Sequence, residues 1–98
     1  MTEVRVSGQV EAFVKALSPD PKKALRAGIK GLAEGAGDVR HLEGPLEGWQ
    51  RLRVQTYRVI FTERFESGNR IVDCIYAHRR SVVYDLFKEL LRNQLLHS

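Results

Sequence analysis

The clearest alternation of apolar and polar residues lies near the middle of the chain. Two runs rich in β-branched and aromatic residues, Trp49–Val54 and Tyr57–Phe61, are separated only by Gln55 and Thr56. A two-residue gap between such runs predicts a tight β-hairpin, although neither residue is the Gly or Asn that these turns prefer. If these two residues form the turn, the cross-strand pairs follow by counting: Val54 with Tyr57, Arg53 with Arg58, Leu52 with Val59 and Arg51 with Ile60.

The two faces of this predicted hairpin differ in chemistry, because side chains alternate between the faces of a strand. One face is apolar and carries Leu52, Val54, Tyr57 and Val59. The other carries Arg51, Arg53 and Arg58. Like charges directly opposite each other destabilise a ladder by up to about 1 kcal/mol per pair, so three arginines on one face favour an anionic ligand over a purely structural role. A planar guanidinium with five donors suits phosphate in particular.

The chain before the hairpin predicts a strand followed by two helices. Thr2–Val6 alternates and reads as a short edge strand, and a following stripe of apolar residues has helical spacing (Val10, Phe13, Val14 and Leu17). The segment Ser18-Pro19-Asp20-Pro21 predicts the start of a second helix, with Asp20 as its N-cap and Pro21 as its first residue. Gly28 and Gly31 weaken that helix unless they allow close packing. We expect Asp38–Gly48 to be a connecting loop.

After the hairpin the pattern predicts a polar turn, a buried strand and a final helix. Glu63–Arg70 is the turn, and Ile71–Ala77 is almost continuously apolar, which is typical of a central strand. A helical stripe begins near Ser81, and Leu95–Ser98 is either a frayed end or an apolar tail that docks on a partner. The predicted order is β-α-α-β-β-β-α, an α+β fold with a small, largely antiparallel sheet.

Composition narrows the range of functions. With 98 residues the chain is expected to form one domain, residues 1–98, and its net charge of +4 favours an anionic partner. The one cysteine, Cys74, excludes an intrachain disulfide and a cysteine-based zinc cluster, and its apolar surroundings predict a buried thiol. We see no signal peptide and no apolar run of transmembrane length, so a cytoplasmic protein without membrane contact is expected.

Three segments in this order resemble the RelE/ParE superfamily of bacterial toxins, the toxin halves of type II toxin–antitoxin pairs. They are Leu42-Glu43-Gly44, the whole hairpin Trp49–Phe61 with its Arg-Leu-Arg-Val and Tyr-Arg-Val-Ile runs, and Tyr76–Tyr84 with its His-Arg-Arg run ending in Val-Tyr. The likeness covers most of the chain and is carried by the ordered combination. It implies a small curved sheet with an N-terminal helical hairpin and a C-terminal helix, which agrees with the predicted topology.

The resemblance implies a ribosome-dependent mRNA interferase that cuts the message in the ribosomal A site. The 2′-hydroxyl attacks its own phosphate, a reaction that needs no metal or other cofactor but does need a base, positive charge on the phosphate and an acid. Arg58 matches the phosphate-stabilising arginine of the family. Arg51 and Arg53 stand where RNase members often carry lysines, and since a guanidinium is a poor general base, these two fit substrate binding and charge stabilisation.

The same resemblance assigns roles beyond the hairpin. His78 is the candidate for proton transfer, because imidazole has an ordinary pKa of about 6.5. Tyr84 matches a family tyrosine that stacks on a base or orients the reacting groups, and Arg79 and Arg80 are predicted to contact the RNA backbone. The structural alternatives are a solvated His78 at a strand end, a Tyr84 that belongs to the core, and plain surface charge at the two arginines.

Two further functions stay open at this point. A ParE-like inhibitor of DNA gyrase would not need the catalytic residues, and an inactive module that only binds an antitoxin or DNA fits the replacement of lysine by arginine. All three hypotheses share an acidic antitoxin as partner, whose disordered segment is expected to fold on this domain. The RNase hypothesis adds the ribosome and mRNA.

Overall fold

The computed structural model describes the backbone of residues 1–97 and the side chains of residues 1–94. The elements in chain order are β1 (Thr2–Val6), α1 (Gly8–Lys15), α2 (Pro19–Gly31), β2 (Asp38–His41), β3 (Gln50–Val54), β4 (Tyr57–Glu66), β5 (Asn69–Arg79) and α3 (Val83–His97). Two short 3₁₀ helices, Leu32–Glu34 and Gly44–Leu46, lie in the connections. Leu95–Ser98, expected to be a frayed end or a docking tail, lies outside the residues whose side chains are described.

The sheet has the strand order β1-β5-β4-β3-β2. β1 runs parallel to β5, whereas all other neighbouring pairs are antiparallel. This confirms the predicted α+β fold with a largely antiparallel sheet, and it places β1 at an edge and β5 in the interior as expected. The pairing of β4 with β5 shifts between Ile60 and Phe61, a β-bulge that bends the strand locally.

Two segments predicted to lack strands were assigned wrongly. Within the predicted loop Asp38–Gly48, residues Asp38–His41 form β2 and pair with β3. The predicted polar turn Glu63–Arg70 is mostly strand, because β4 continues to Glu66 and β5 begins at Asn69. Charged residues are tolerated there because they pair across the strands, as Arg64 Nε does with Asp73 Oδ2 at 2.9 Å. Only Ser67 and Gly68 form the turn, with φ of 49° and 79°.

The start of α2 also differs from the prediction. The helix begins at Pro19, and its N-cap is Ser18 rather than Asp20. The Ser18 carbonyl accepts the N–H of Lys22 at 3.0 Å, which is the first intrahelical bond. Pro19 and Pro21 both fit in the first turn, because the N–H groups that they lack have no intrahelical partner there. Asp20 instead lies in the first turn, where its negative charge suits the helix dipole.

One face of the sheet is covered by α1 and α2, and we call it the helical-hairpin face. Its core consists of residues that are apolar or, in one case, a thiol: Val10, Val14, Leu25, Ile29, Leu32, Leu52, Val59, Phe61, Val72, Cys74 and Ala77. Gly28 allows α2 to approach β3 closely, because a Cβ at this position would lie 2.7 Å from Val54 Cγ2. This confirms close packing as the reason for a glycine inside the helix.

The opposite face, which we call the α3 face, holds a second and smaller core. Leu46, Ile60, Val83 and Phe87 are buried there. The Trp49 and Phe87 rings meet edge to face with their centroids 4.8 Å apart, so Trp49 closes this core. Leu42 packs against the same cluster. None of the helices in the described part of the chain is long and apolar enough to cross a membrane.

Candidate functional site

The hairpin that carries the arginines forms as predicted. β3 and β4 pair in the register Val54–Tyr57, Arg53–Arg58, Leu52–Val59 and Arg51–Ile60. Gln55 occupies the turn with a φ of 56°, a left-handed conformation that non-glycine residues seldom adopt. Leu52 and Val59 belong to the core of the helical-hairpin face, so alternation puts Arg51, Arg53 and Arg58 on the α3 face. The three predicted arginines are therefore brought together.

Arg58 is the most enclosed member of this group, with 6% of its surface exposed. Its Nη1 donates to the carbonyls of Gln55 at 3.1 Å and Tyr57 at 2.8 Å, which fixes the guanidinium against the hairpin turn. These bonds use only Nη1, which leaves Nε and Nη2 for Tyr84 and for an anion.

The neighbours of Arg58 act on its charge in opposite directions. Burial lowers its pKa, the nearby phenol of Tyr84 raises it, and the positive charges of Arg51 and Arg53 lower it again. A charge that is partly desolvated and repelled by two like charges gains more than a surface arginine would from an incoming phosphate.

Arg51 and Arg53 share one carboxylate. Arg51 is buried, and its Nη1 donates to the Asp38 carbonyl at 2.8 Å and to Asp38 Oδ1 at 3.2 Å. Arg53 Nη1 lies 3.9 Å from Asp38 Oδ2, and its side chain is 54% exposed. Arg51 therefore ties β2 to β3, whereas Arg53 is the more accessible of the two to a ligand.

Sequence reasoning missed two members of this site, Asp38 and Arg40. Both lie on β2, where Asp38 pairs with Arg53 and Arg40 with Arg51. Residues opposite each other in a ladder lie on the same face, so Arg40 extends the group to four guanidiniums, which we call the arginine cluster (Arg40, Arg51, Arg53 and Arg58). The available signal was the alternation of Asp38 and Arg40 with Val39, which is too short to identify a strand.

His78 is placed differently from the other predicted residues. It pairs with Arg58 in the β4–β5 ladder. Its ring, however, lies against Phe13 of α1, with the centroids 5.1 Å apart. Its Nδ1 accepts the backbone N–H of Arg79 at 2.9 Å. The backbone therefore brings His78 beside Arg58, but the imidazole points toward α1.

Tyr84, Arg79 and Arg80 complete the predicted set. Tyr84 is half-buried in the first turn of α3 and packs against the core of the α3 face while its phenol acts on Arg58. Arg79 is exposed and pairs with Tyr57, which packs against the helical-hairpin face, so its position alternates away from the arginine cluster. Arg80 follows β5, and its N–H binds the Thr56 carbonyl at 2.8 Å. Tyr84 thus lies on the same face of the sheet as Arg58, whereas Arg79 and Arg80 flank the turn.

Two other kinds of chemistry have little support in the described residues. Burial raises the pKa of the Cys74 thiol to about 12, which keeps it protonated and inert, as the sequence predicted for a buried residue. Among the residues that the structure describes, no three His, Cys, Asp or Glu side chains gather as they would to hold a metal ion.

The chain has the fold of RelE/ParE-like toxins, as the sequence resemblance predicted. No model of a known family matches it, and no curated protein matches it either. It is similar to the archaeal RelE–RelB complex from Pyrococcus horikoshii OT3, with 21% identity, a TM-score of 0.63, and 81% of this chain and 94% of that chain covered. For the YoeB/ParE toxin from Agrobacterium tumefaciens the values are 12%, 0.63, 79% and 96%.

A third similar structure is the RelB–RelE antitoxin–toxin complex from Methanococcus jannaschii. The identity is 16%, the TM-score is 0.58, and the match covers 85% of this chain and 98% of that chain. Identities in this range establish the shared fold. The function has to be argued from the site itself.

Proposed function

We propose that this protein is the toxin of a type II toxin–antitoxin pair and that it cleaves mRNA in the ribosomal A site. The observation that carries the proposal is the buried guanidinium of Arg58. Tyr84, Arg51 and Arg53 lie near it on the same face of the sheet and act on its charge. A fixed, partly desolvated guanidinium stabilises the developing charge of a phosphorane better than a mobile surface one. The structural neighbours, which are toxins of this fold, support the assignment.

The reaction is a metal-independent transfer at phosphorus. A base takes the proton of the 2′-hydroxyl, the 2′-oxygen forms a bond to phosphorus, and the bond from phosphorus to the 5′-oxygen breaks. An acid then protonates the leaving 5′-oxygen, which leaves a 2′,3′-cyclic phosphate and a free 5′-hydroxyl. In this proposal Arg58 binds the phosphate oxygens, and Arg53 and Arg51 add positive charge beside it.

Proton transfer is assigned to His78, and Tyr84 is assigned a supporting role beside it. Tyr84 already lies at Arg58, where it orients the reacting groups or stacks on a base. His78 takes part after its ring rotates from Phe13 toward Arg58, its partner in the ladder. Active-site geometry often tightens only when the substrate is bound, so the observed position of the ring is compatible with this role. Arg79 and Arg80 are proposed to hold the RNA backbone.

The proposed partner outside translation is an acidic antitoxin. The structures from Pyrococcus horikoshii OT3 and Methanococcus jannaschii are complexes of RelE with RelB, and this chain carries a net charge of +4. A disordered acidic segment that folds on the arginine cluster, or that displaces α3, would neutralise the toxin.

A second candidate function is inhibition of DNA gyrase by protein contact. The observation that favours it is the His78 ring, which packs on Phe13 and uses Nδ1 to accept the Arg79 N–H. An inhibitor of this kind needs no imidazole at the arginine cluster. It predicts inhibition of DNA supercoiling without RNA cleavage.

The test uses ribosomes that carry a defined message and an empty A site, with cuts mapped by primer extension. We expect cleavage within the A-site codon and a loss of about 100- to 1,000-fold in Arg58→Ala, the usual effect of removing one donor that stabilises developing charge. His78→Ala tests the proton transfer, and Arg26→Ala on α2 serves as a charge-matched control that retains cleavage. Intact ribosomes and messages in the presence of the folded protein would reject the RNase and lead to a gyrase supercoiling assay.

A further inference from the structure

A small pocket adjoins the arginine cluster on the side of α3. It has a volume of about 270 Å³ and lies between the loop after β2 and the first two turns of α3. It is lined by Leu42, Glu43, Pro45, Leu46, Tyr84 and Lys88. Pockets for drug-sized ligands usually measure about 300–1,000 Å³, so this one suits a single aromatic ring system.

Tyr84 links the pocket with the arginine cluster. It lines the pocket and packs against the core that contains Ile60, which lies two residues from Arg58 on the same face of β4, and its phenol also acts on the charge of Arg58. A nucleotide whose phosphate binds Arg58 can therefore place its base against Tyr84 and the apolar side chains of Leu42 and Leu46. Stacking on an aromatic side chain is the usual way in which proteins hold an unpaired base of single-stranded RNA.

Two charged residues give this apolar pocket a polar rim of opposite signs. Glu43 is exposed, and its carboxylate makes no hydrogen bond or ion pair with the described residues. Lys88 is half-buried, and its only ion pair there is a loose one with Asp85 at 3.6 Å. A carboxylate accepts hydrogen bonds and an ammonium donates them, so the rim is complementary to a base edge that presents donors beside an acceptor.

We propose that this pocket binds the base next to the scissile phosphate and that Glu43 and Lys88 select guanine. The Watson–Crick edge of guanine presents two adjacent donors, N1–H and the N2 amino group, which match the two oxygens of one carboxylate. Its O6 is an acceptor for the ammonium of Lys88. Adenine and cytosine offer only one donor group on this edge, and uracil offers one N–H between two acceptors. The inference rests on the proposed RNA chemistry of the arginine cluster and adds the identity of the base.

The test measures binding without cleavage, so that it is independent of the nuclease reaction. The folded protein is titrated with the 3′- and 5′-monophosphates of guanosine, adenosine, cytidine and uridine, and binding is followed by amide chemical shifts. We expect guanosine monophosphate to bind at least about fivefold more tightly than the other three, the lower end of what a bidentate base contact provides. The shifts should map to the loop after β2 and to the first two turns of α3.

Three variants separate the base from the phosphate. Glu43→Gln should remove the preference for guanine and leave binding of the other nucleotides unchanged, whereas Arg58→Ala should weaken all four. Glu47→Gln, at an exposed glutamate that follows the Gly44–Leu46 turn and does not line the pocket, is the matched control and should keep the preference. A fold-preserving Glu43→Gln variant that still prefers guanine would overturn the proposal.

The remaining outcomes separate the base-binding pocket from the nuclease activity. Equal binding of all four nucleotides, or shifts that map away from the pocket, would overturn the inference even if the protein cleaves mRNA. A guanine preference that depends on Glu43 would sustain the pocket even if no cleavage occurs on the ribosome, and the nuclease assignment alone would then fail. The positional isomer that shows the preference identifies the side of the scissile bond on which the base lies.

Discussion

The core between the sheet and α1 and α2 contains eleven buried residues, whereas the core on the α3 face contains only four among the described residues. The helical-hairpin core contains no charged side chain. The α3 face continues from its small core into the arginine cluster, where Arg51 and Arg58 are also buried. Arg51 is paired with Asp38, but Arg58 makes no ion pair with the described residues, and a buried charge without a partner lowers stability. The first face therefore stabilises the fold, and the second gives up some of that stability for a cationic site.

The largest expected effect concerns the small core that holds α3 in place. Phe87 is fully buried and contacts both Trp49 and Tyr76, so Phe87→Ala should lower the free energy of unfolding by about 3–5 kcal/mol. Leu86→Ala, at the exposed neighbouring position, is the control and should change it by less than about 1 kcal/mol. Chemical denaturation measures both, and equal effects would mean that α3 is not anchored through this core.

Much of the contrast between the two faces could be predicted from the sequence. The hairpin register follows from a two-residue gap between strongly alternating runs, and this information is local. The strand β2 could not be found in the same way, because four residues with a single half-buried valine form a strand only by pairing with β3. The burial of Arg51 was missed for the same reason, since its partner Asp38 lies on that strand.

The geometry of the site could be predicted from the sequence only in part. The pairing of Arg58 with His78 could not be predicted, because counting back from the turn at Ser67 and Gly68 pairs Arg58 with Ala77, and only the register shift between Ile60 and Phe61 moves the partner to His78. The direction of the His78 ring depends on Phe13, which is more than sixty residues away in the chain and reaches the site through the packing of α1. The start of α2 was misplaced because two prolines and two possible caps stand within four residues, and their local preferences do not discriminate between them.

The charge balance of the α3 face can be tested at Asp38. Asp38→Asn removes the carboxylate that serves Arg51 and Arg53, so we expect the free energy of unfolding to fall by about 1 kcal/mol. Binding of single-stranded RNA should strengthen a few-fold at low salt, because the net positive charge of the cluster rises. Asp20→Asn makes the same charge change on α2, and it should alter RNA binding less. If both variants behave alike, only the total charge matters.

A smaller and pH-dependent effect is expected on the helical-hairpin side. Hydrogen bonding to Arg70 lowers the pKa of Glu63, burial opposes this, and Gln50 lowers it further. Since the folded pKa lies below its ordinary value of 4.5, this stabilisation is fully present above that pH and is lost as pH falls through the folded pKa. Glu63→Gln should therefore cost about 1 kcal/mol at neutral pH and progressively less as the pH falls below 4.5. A cost that does not change with pH would reject the linkage.

The central claim, that the arginine cluster on the α3 face is the functional site, is tested most directly by comparing two charge-matched variants in a growing bacterium. Arg58→Gln removes one charge from the cluster, and Arg26→Gln removes one from the exposed surface of α2 on the opposite face. With equal amounts of folded protein and no antitoxin, we expect the parent protein and Arg26→Gln to arrest growth and Arg58→Gln not to do so. Growth arrest by Arg58→Gln as strong as that of the parent protein would contradict it.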